Sequence, residues 1–229
     1  VGANFFTVTG ATAVSNSANS GTVSAVFPAT GMITLTAIGA ITGTATVGQT
    51  LTAGARTPSV ATVSYQWQSS PDGSTYSDIS GATSGTYVLV GTDYNHYIRV
   101  VATGTGGSTG SMTSAPTALV AAQTINVKAI QGVTAPVVLA TPVTTITATD
   151  QYTGTVAWSG SPSTFAGNTA YTATITLTPK SGYTLTGVSA NSFTVSGASA
   201  TNTANSGTVT AMFPATATLL TGIGSIAGT

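Results

Sequence analysis

Charged side chains are the scarcest feature of this 229-residue chain. It has four lysine and arginine residues, four aspartates and no glutamate, so charged residues make up 3% of the sequence. Typical soluble domains carry about 25%. Four cations balanced by four carboxylates cannot supply the basic surface that neutralises phosphates, so no nucleic-acid partner is expected. Cysteine is absent as well, which excludes disulfides, thiol catalysis and zinc sites built on cysteine.

Small hydroxylated residues take the place of charge. The chain contains 49 threonines, 25 serines and 27 glycines, while 41% of its residues are apolar. Threonine is β-branched and favours strands, and its hydroxyl group keeps a surface wettable. The apolar fraction is too high for charge-driven disorder. The charged positions of a coiled coil are missing, so the composition indicates a β-rich protein.

Strict alternation of apolar and polar residues marks the strands. In YTATITLT, residues 171–178, every second residue is apolar and the others are threonines, which predicts a half-buried antiparallel strand. Turn-forming sequences such as Pro71-Asp72-Gly73 separate such patterns. Regularly spaced short strands with glycine- and proline-bearing turns predict an all-β fold made of β-sandwiches.

Two long segments carry no charge, residues 1–55 and 181–229. A membrane-spanning helix needs about 20 predominantly apolar residues. The most apolar stretch, residues 212–229, is interrupted by Pro214, three glycines and four threonines. We therefore expect strands and turns there and no membrane insertion.

The two ends of the chain share one sequence. VGANFFTVTGATA at 1–13 returns as VSANSFTVSGASA at 188–200, and ANSGTVSAVFPAT at 18–30 returns as ANSGTVTAMFPAT at 204–216. IGAITGT, residues 38–44, returns as IGSIAGT at the end of the chain. The offset drifts from 187 to 185, which indicates small length differences in loops.

The repeat predicts four parts, of which two are complete modules. Residues 1–32 are the C-terminal strands of a preceding B-type module, 33–120 form module A, 121–217 form module B, and 218–229 begin a further A-type module. A duplicated strand pair inside one large domain is the alternative. An isolated two-stranded hairpin is marginal in water, so the first strands need a sheet from upstream residues or from another copy of the chain.

Module A contains VGQTLTA at 47–53, SYQWQSSPDG at 64–73 and DYNHYIRVVATG at 93–104. This sequence resembles the bacterial immunoglobulin-like tandem repeats of large cell-surface proteins and adhesins, over nearly all of residues 38–120. The resemblance implies a structural or adhesive module with an immunoglobulin-like sandwich fold.

Three residues take structural roles under this resemblance. It places Trp67 as the core tryptophan of a central strand, and Asp93 and Tyr97 in the spacing of a tyrosine corner, where the phenol hydrogen-bonds to main chain. Arg99 stands where antibody-type domains carry their second cysteine. Either its guanidinium group reaches the sheet edge, or Ile98 and Val100 are the inward-facing pair.

Module B contains TGTVAWS at 153–159 and AYTATITLTPKSGYTLTG at 170–187. Its overall pattern resembles a repeat unit of bacterial cell-surface and S-layer-associated proteins. That resemblance brings no catalytic or ligand residues. Trp158 is two residues beyond Val156, so both side chains point to the same face of the strand, and Trp158 is expected to face inward.

Nothing in the sequence predicts catalysis, a cofactor or a metal site. His96 is the only histidine, and the side chains of His96 and Asp93 should point to opposite faces of an extended chain. Asp72 belongs to a turn and Asp78 to the following strand, so we do not expect them to form the acid pair of a glycoside hydrolase. No Asp-x-Asp-x-Asp run indicates calcium.

These patterns predict a non-enzymatic structural protein of the bacterial cell surface. Tandem modules would form a fibre, filament, stalk or surface layer by module stacking or strand complementation. The partners would be other copies of the chain or further repeats within it. The alternative is an adhesin that binds glycans or other surface proteins through the loops of its immunoglobulin-like modules.

Overall fold

The computed structural model describes residues 1–28 and 31–219, and these form an almost entirely β structure. A single turn of 3-10 helix at Gly91–Asp93 is the only helical element in the two ranges. The all-β fold class predicted from the sequence is therefore confirmed. No helix of the described residues is long and apolar enough to cross a membrane. Residues 220–229, most of the predicted further A-type module, lie outside the described residues.

The first 28 residues form one antiparallel strand pair. It consists of β1 (Ala13–Ser15) and β2 (Ser24–Val26), with Val14 opposite Ala25. We call residues 1–28 the N-terminal strand pair.

Module A is built around one long pair of strands in a four-stranded antiparallel sheet. The order in that sheet is β12-β10-β7-β8, and β7 and β10 pair over eight residues. Smaller pairs complete the module: β4 with β6, β5 with β9, and β3 with β11 in parallel. The strands are β3 (Ile33–Thr34), β4 (Ala37–Ile38), β5 (Thr50–Thr52), β6 (Arg56–Thr57), β7 (Val63–Ser70), β8 (Ser77–Asp78), β9 (Thr86–Val88), β10 (Tyr97–Gly104), β11 (Ser108–Thr109) and β12 (Ser111–Thr113).

Module B has a similar plan with a different strand order. A four-stranded antiparallel sheet runs β15-β16-β20-β19, and two short parallel pairs, β13 with β17 and β14 with β18, lie beside it. The strands are β13 (Gln123–Thr124), β14 (Ala129–Ile130), β15 (Tyr152–Trp158), β16 (Thr172–Pro179), β17 (Tyr183–Thr184), β18 (Thr194–Val195), β19 (Ser199–Asn202) and β20 (Thr208–Met212).

The alternation predicted for residues 171–178 is confirmed by burial. All four apolar residues of this segment are buried, while the threonines are exposed or half-buried. Because successive side chains of a strand point to opposite faces, β16 has one apolar face in the core of module B and one hydroxylated face outside. The buried residues of module A and those of module B form separate clusters.

The two modules nevertheless touch through the turn at residues 179–182. The Tyr183 ring, next to this turn, packs against the core of module A as well as that of module B. The Ser181 hydroxyl group donates a hydrogen bond to the Gly91 carbonyl oxygen at 3.4 Å. A Cβ atom added to Gly91 would lie 2.7 Å from the Ser181 carbonyl oxygen, and one added to Gly182 would lie 2.7 Å from the Gly91 Cα. The modules therefore approach at a distance that only glycine permits.

Gly91→Ala tests this junction. The added methyl group has no space against the Ser181 backbone, so we expect the free energy of unfolding to fall by about 1–3 kcal/mol, the usual cost of overpacking. Urea unfolding of the 229-residue chain measures it. Gly107→Ala is the matched control, because its Cβ would meet no atom within 4 Å. Equal losses in the two variants would contradict a tight junction at Gly91.

Candidate functional site

Trp67 lies at the centre of module A. Its side chain is fully buried, and its ring stacks on that of Tyr87 with 5.7 Å between centroids. The indole Nε1 donates a hydrogen bond to the Ser84 carbonyl oxygen at 2.8 Å. A buried tryptophan needs such a partner for its N–H group, and this geometry fits a core residue rather than a binding platform.

Asp93 is a buried carboxylate that anchors the 3-10 turn. Its Oδ2 accepts a hydrogen bond from the Tyr87 hydroxyl group and another from the Val90 backbone N–H, both at 2.8 Å. Burial raises the pKa of Tyr87 above its ordinary value, and the hydrogen bond to Asp93 and the charge of Asp93 raise it further. The phenol therefore stays protonated and donates to the carboxylate, which ties β9 to the turn that follows it.

The structure departs from the tyrosine corner expected at Tyr97. Among the described residues, the phenol that bonds to Asp93 is that of Tyr87, and the hydrogen bonds include none from the Tyr97 hydroxyl group to main chain. Strand parity explains the difference. Ile98 and Val100 point into the core, so Tyr97 lies on the opposite face, where its ring covers Gly73.

The same parity decides between the two alternatives for Arg99. Ile98 and Val100 are the inward pair, and Arg99 lies on the outer face of the sheet, half-buried. Its guanidinium carbon lies 3.8 Å from the centroid of the Tyr76 ring. The Arg99 Nε donates to Gln68 Oε1 at 2.7 Å. Gln68 Nε2 in turn donates to Asp78 Oδ1 at 2.7 Å, so Arg99, Gln68 and Asp78 form one hydrogen-bonded row on the outer face of the sheet.

The candidate catalytic residues do not come together. The Asp93 carboxylate is occupied by Tyr87 and Val90, whereas Nδ1 of His96 lies 3.0 Å from the Tyr94 carbonyl oxygen. No group of three or more histidine, cysteine, aspartate or glutamate residues that could hold a metal ion occurs within residues 1–28 and 31–219. We find no constellation for nucleophilic or metal-assisted chemistry in this part of the chain.

Asp72 acts as a turn residue. Its Oδ1 accepts hydrogen bonds from the Ser74 and Thr75 backbone N–H groups at 2.8 and 3.0 Å and from the Ser70 hydroxyl group at 2.8 Å. The hydrogen bond from the Thr75 backbone N–H contributes most, and that from the Ser74 backbone N–H comes second, in holding the pKa of Asp72 well below its ordinary value. The polar groups of this loop are thus directed at one another.

Trp158 faces the core of module B, as expected. Its ring lies 4.9 Å from that of Phe165 and 5.4 Å from that of Phe213 between centroids, and its Nε1 donates to the Val143 carbonyl oxygen at 2.8 Å. Both tryptophans of the chain are therefore core residues and neither offers an open face for stacking a sugar.

The N-terminal strand pair is held by hydrogen bonds of its own. An asparagine closes its loop: Asn16 Oδ1 accepts from the Phe5 backbone N–H at 3.2 Å, and Asn16 Nδ2 donates to the Gly2 carbonyl oxygen at 3.3 Å. Asn16 is buried although its neighbours are mostly exposed. This bonding fixes the loop without help from another part of the chain.

Residues 188–216, here called the C-terminal strand pair, repeat this arrangement inside module B. Asn202 Oδ1 accepts from the Ser192 backbone N–H at 2.9 Å, and Asn202 Nδ2 donates to the Ser189 carbonyl oxygen at 3.1 Å. Further asparagines at matching positions have positive φ in both pairs: Asn4 at 54° and Asn191 at 53°, Asn19 at 59° and Asn205 at 60°. The two segments share their local conformation as well as their sequence.

Burial separates the two pairs. The apolar side chains of the C-terminal pair are in the core, while their counterparts in the N-terminal pair are open to solvent. The exposed fractions are 37% for Val23 against 0% for Val209, 41% for Phe6 against 1% for Phe193, and 58% for Phe27 against 4% for Phe213. The N-terminal strand pair therefore exposes an apolar face that its counterpart in module B buries.

A comparison with known protein families gives a match over part of the chain. A family model described as a domain of unknown function, DUF8696, matches residues 30–129, which span module A and the first strand of module B. No curated protein matches the chain, and no solved structure matches it.

Tyr87→Phe tests the Asp93 cluster, with Tyr97→Phe as its matched control. Removing the Tyr87 hydroxyl group leaves a buried carboxylate without one of its two donors, so we expect a loss of about 1–3 kcal/mol in the free energy of unfolding. Tyr97→Phe should change it by less than about 0.5 kcal/mol. Urea unfolding at neutral pH compares the two variants. A larger loss in Tyr97→Phe would restore the tyrosine corner expected from the sequence.

The lowered pKa of Asp72 predicts a pH dependence. A carboxyl group whose pKa is lower in the folded state stabilises the fold above its unfolded pKa of 3.8, and this contribution is lost as the pH falls through the folded value. Between about pH 5 and pH 2 the wild-type chain should therefore lose more stability than Asp72→Asn. Urea unfolding of both chains at both pH values measures the difference. The other three aspartates are present in both chains, so their contribution cancels. Equal losses would mean that the ionised turn adds nothing to stability.

Proposed function

We propose that this chain is part of a non-enzymatic, extracellular structural protein of the bacterial cell surface. Modules A and B would be immunoglobulin-like and related β-sandwiches that alternate along one polypeptide and build a fibre, stalk or surface layer. The partners would be further repeats of the same protein.

The close junction between the modules is the observation that carries this proposal. Tyr183 is shared by both cores, and Gly91 and Gly182 bring two backbones together without side chains between them. A flexible linker of glycine and serine would let two domains move independently. Packed modules with a glycine contact instead hold a fixed orientation, which a stiff fibre or stalk needs.

The distribution of charge supports the same role. All eight charged side chains lie between residues 56 and 180, and the outer face of β16 carries threonine. Net charge and edge charges normally keep folded monomers apart and protect sheet edges from pairing. A surface with so few charges offers little repulsion to a neighbouring module, and hydroxyl groups supply hydrogen bonds.

The loops favour a structural role over an adhesive one. In the turn at residues 70–75, the Asp72 carboxylate already accepts three hydrogen bonds from its own loop. In the loop at residues 104–108, at the other end of β7, the Thr105 carbonyl oxygen accepts a hydrogen bond from the Thr62 hydroxyl group at 2.6 Å, and Ser108 Oγ accepts one from the Thr62 backbone N–H at 3.0 Å. Groups that are satisfied internally are poorly available to a glycan or a protein ligand.

Immunoelectron microscopy of the producing bacterium tests the proposal. Antibodies against the 229-residue chain should label filaments or a layer at the cell surface, at a regular spacing of two module lengths. The label should persist from low salt to about 150 mM, because so few charges are available to screen. Label confined to the cell interior, or surface material that disperses in salt, would contradict the proposal. Binding to a glycan array without any filament or layer would favour the adhesin.

A further inference from the structure

We propose that the N-terminal strand pair closes a B-type module, by docking onto a segment with the sequence of residues 121–187 carried ahead of Val1 on the same polypeptide. This inference rests on the alternating modules of the proposed function and adds the register and the contacts of the closed module.

The open edge of β2 indicates the first contact. In module B, β20 lies between β16 and β19, and Ala211 pairs with Ala173 of β16 on one side and with Ala200 of β19 on the other. The corresponding residue of β2, Ala25, pairs only with Val14 of β1. β2 thus has the sequence of β20, but the edge at which β20 pairs with β16 is open in β2. A strand with the sequence of β16 fits that edge, with Ala25 opposite the alanine that corresponds to Ala173.

The exposed phenylalanines indicate the second contact. In module B, Phe213 packs on Trp158 at 5.4 Å between centroids and Phe193 packs on Tyr152 at 6.3 Å. Their counterparts Phe27 and Phe6 are exposed. Trp158 and Tyr152 both belong to β15, so the segment that supplies the missing edge strand also supplies the rings that these phenylalanines need.

A second copy of this chain is a poor source for that segment. In every copy, β16 already pairs with β20 over five residues. The C-terminal strand pair is tethered to its own sheet, so its effective concentration at that site far exceeds the concentration of a separate chain. A segment on the same polypeptide gives the N-terminal strand pair the same advantage.

Extending the chain tests the proposal. Residues 121–187 are fused ahead of Val1, and hydrogen exchange of the β2 amides is compared between the extended and the 229-residue chain. We expect the protection of these amides to rise at least about a hundredfold, toward that of β20, because a closed sheet opens far less often than an open edge. Unchanged protection would overturn the proposal. Protection that rises with concentration in the 229-residue chain would overturn it too, because it would show self-association through this face.

Two substitutions within the extended chain sharpen the test. Phe27→Ser should remove the gained protection, because the serine cannot fill the site next to the tryptophan. Phe5→Ser is the matched control, since module B itself carries Ser192 at that position, and it should leave the protection unchanged. In the 229-residue chain both phenylalanines are exposed, so neither substitution should move the urea midpoint. A gain in protection that survives Phe27→Ser would overturn the predicted contact.

A sequence exchange keeps the proposal testable if the extended chain aggregates. Residues 188–216 of the 229-residue chain are replaced by residues 1–30, which must then close module B. We expect a folded protein with a urea midpoint close to that of the parent. An unfolded module B would overturn the proposal. These results are independent of the surface labelling, because closure concerns one polypeptide: the module can close in a protein that forms no fibre, and a labelled fibre can exist in which residues 1–28 stay open.

Discussion

Each module depends on a sheet whose two faces meet different surroundings. The paired strands β7 and β10 in module A, and β15 and β16 in module B, point every second side chain into an apolar cluster and the others toward solvent. Burial of these alternate residues is the main favourable term for a protein with so few ion pairs and no disulfides. A strand pair without a covering sheet gains little from apolar burial, and residues 1–28 form such a pair.

Several polar groups within this framework find their hydrogen-bond partners locally. The Asp93 carboxylate, the Arg99 row and the two loop asparagines each find their partners within a few residues along the chain or on the next strand. Net stabilisation from such bonds is modest, but an unpaired buried group is costly. These charges and amides therefore fix turns and loop geometry.

Sequence patterns predicted the parts of the fold that follow from local periodicity. The alternation in residues 171–178 predicted which face of β16 is buried, and the turn sequence Pro71-Asp72-Gly73 marked the end of β7. The partner of Asp93 could not be predicted in the same way. The spacing from Asp93 to Tyr97 suggested only that the Tyr97 phenol bonds to main chain, while the donor to Asp93 is Tyr87, which comes from the strand before the turn and is placed by tertiary packing. The short parallel pairs, such as β13 with β17, were also missed, because two-residue strands have no periodicity of their own.

The shared ring of Tyr183 has a mechanical consequence. Because this side chain packs on both cores, unfolding of module B removes part of the packing of module A, and the two modules are energetically coupled rather than independent. Under a pulling force, modules joined in series carry the same tension, so this coupling would make the opening of module B weaken module A as well. The contact near Gly91 and Gly182 would thus link the opening of one module to that of the other.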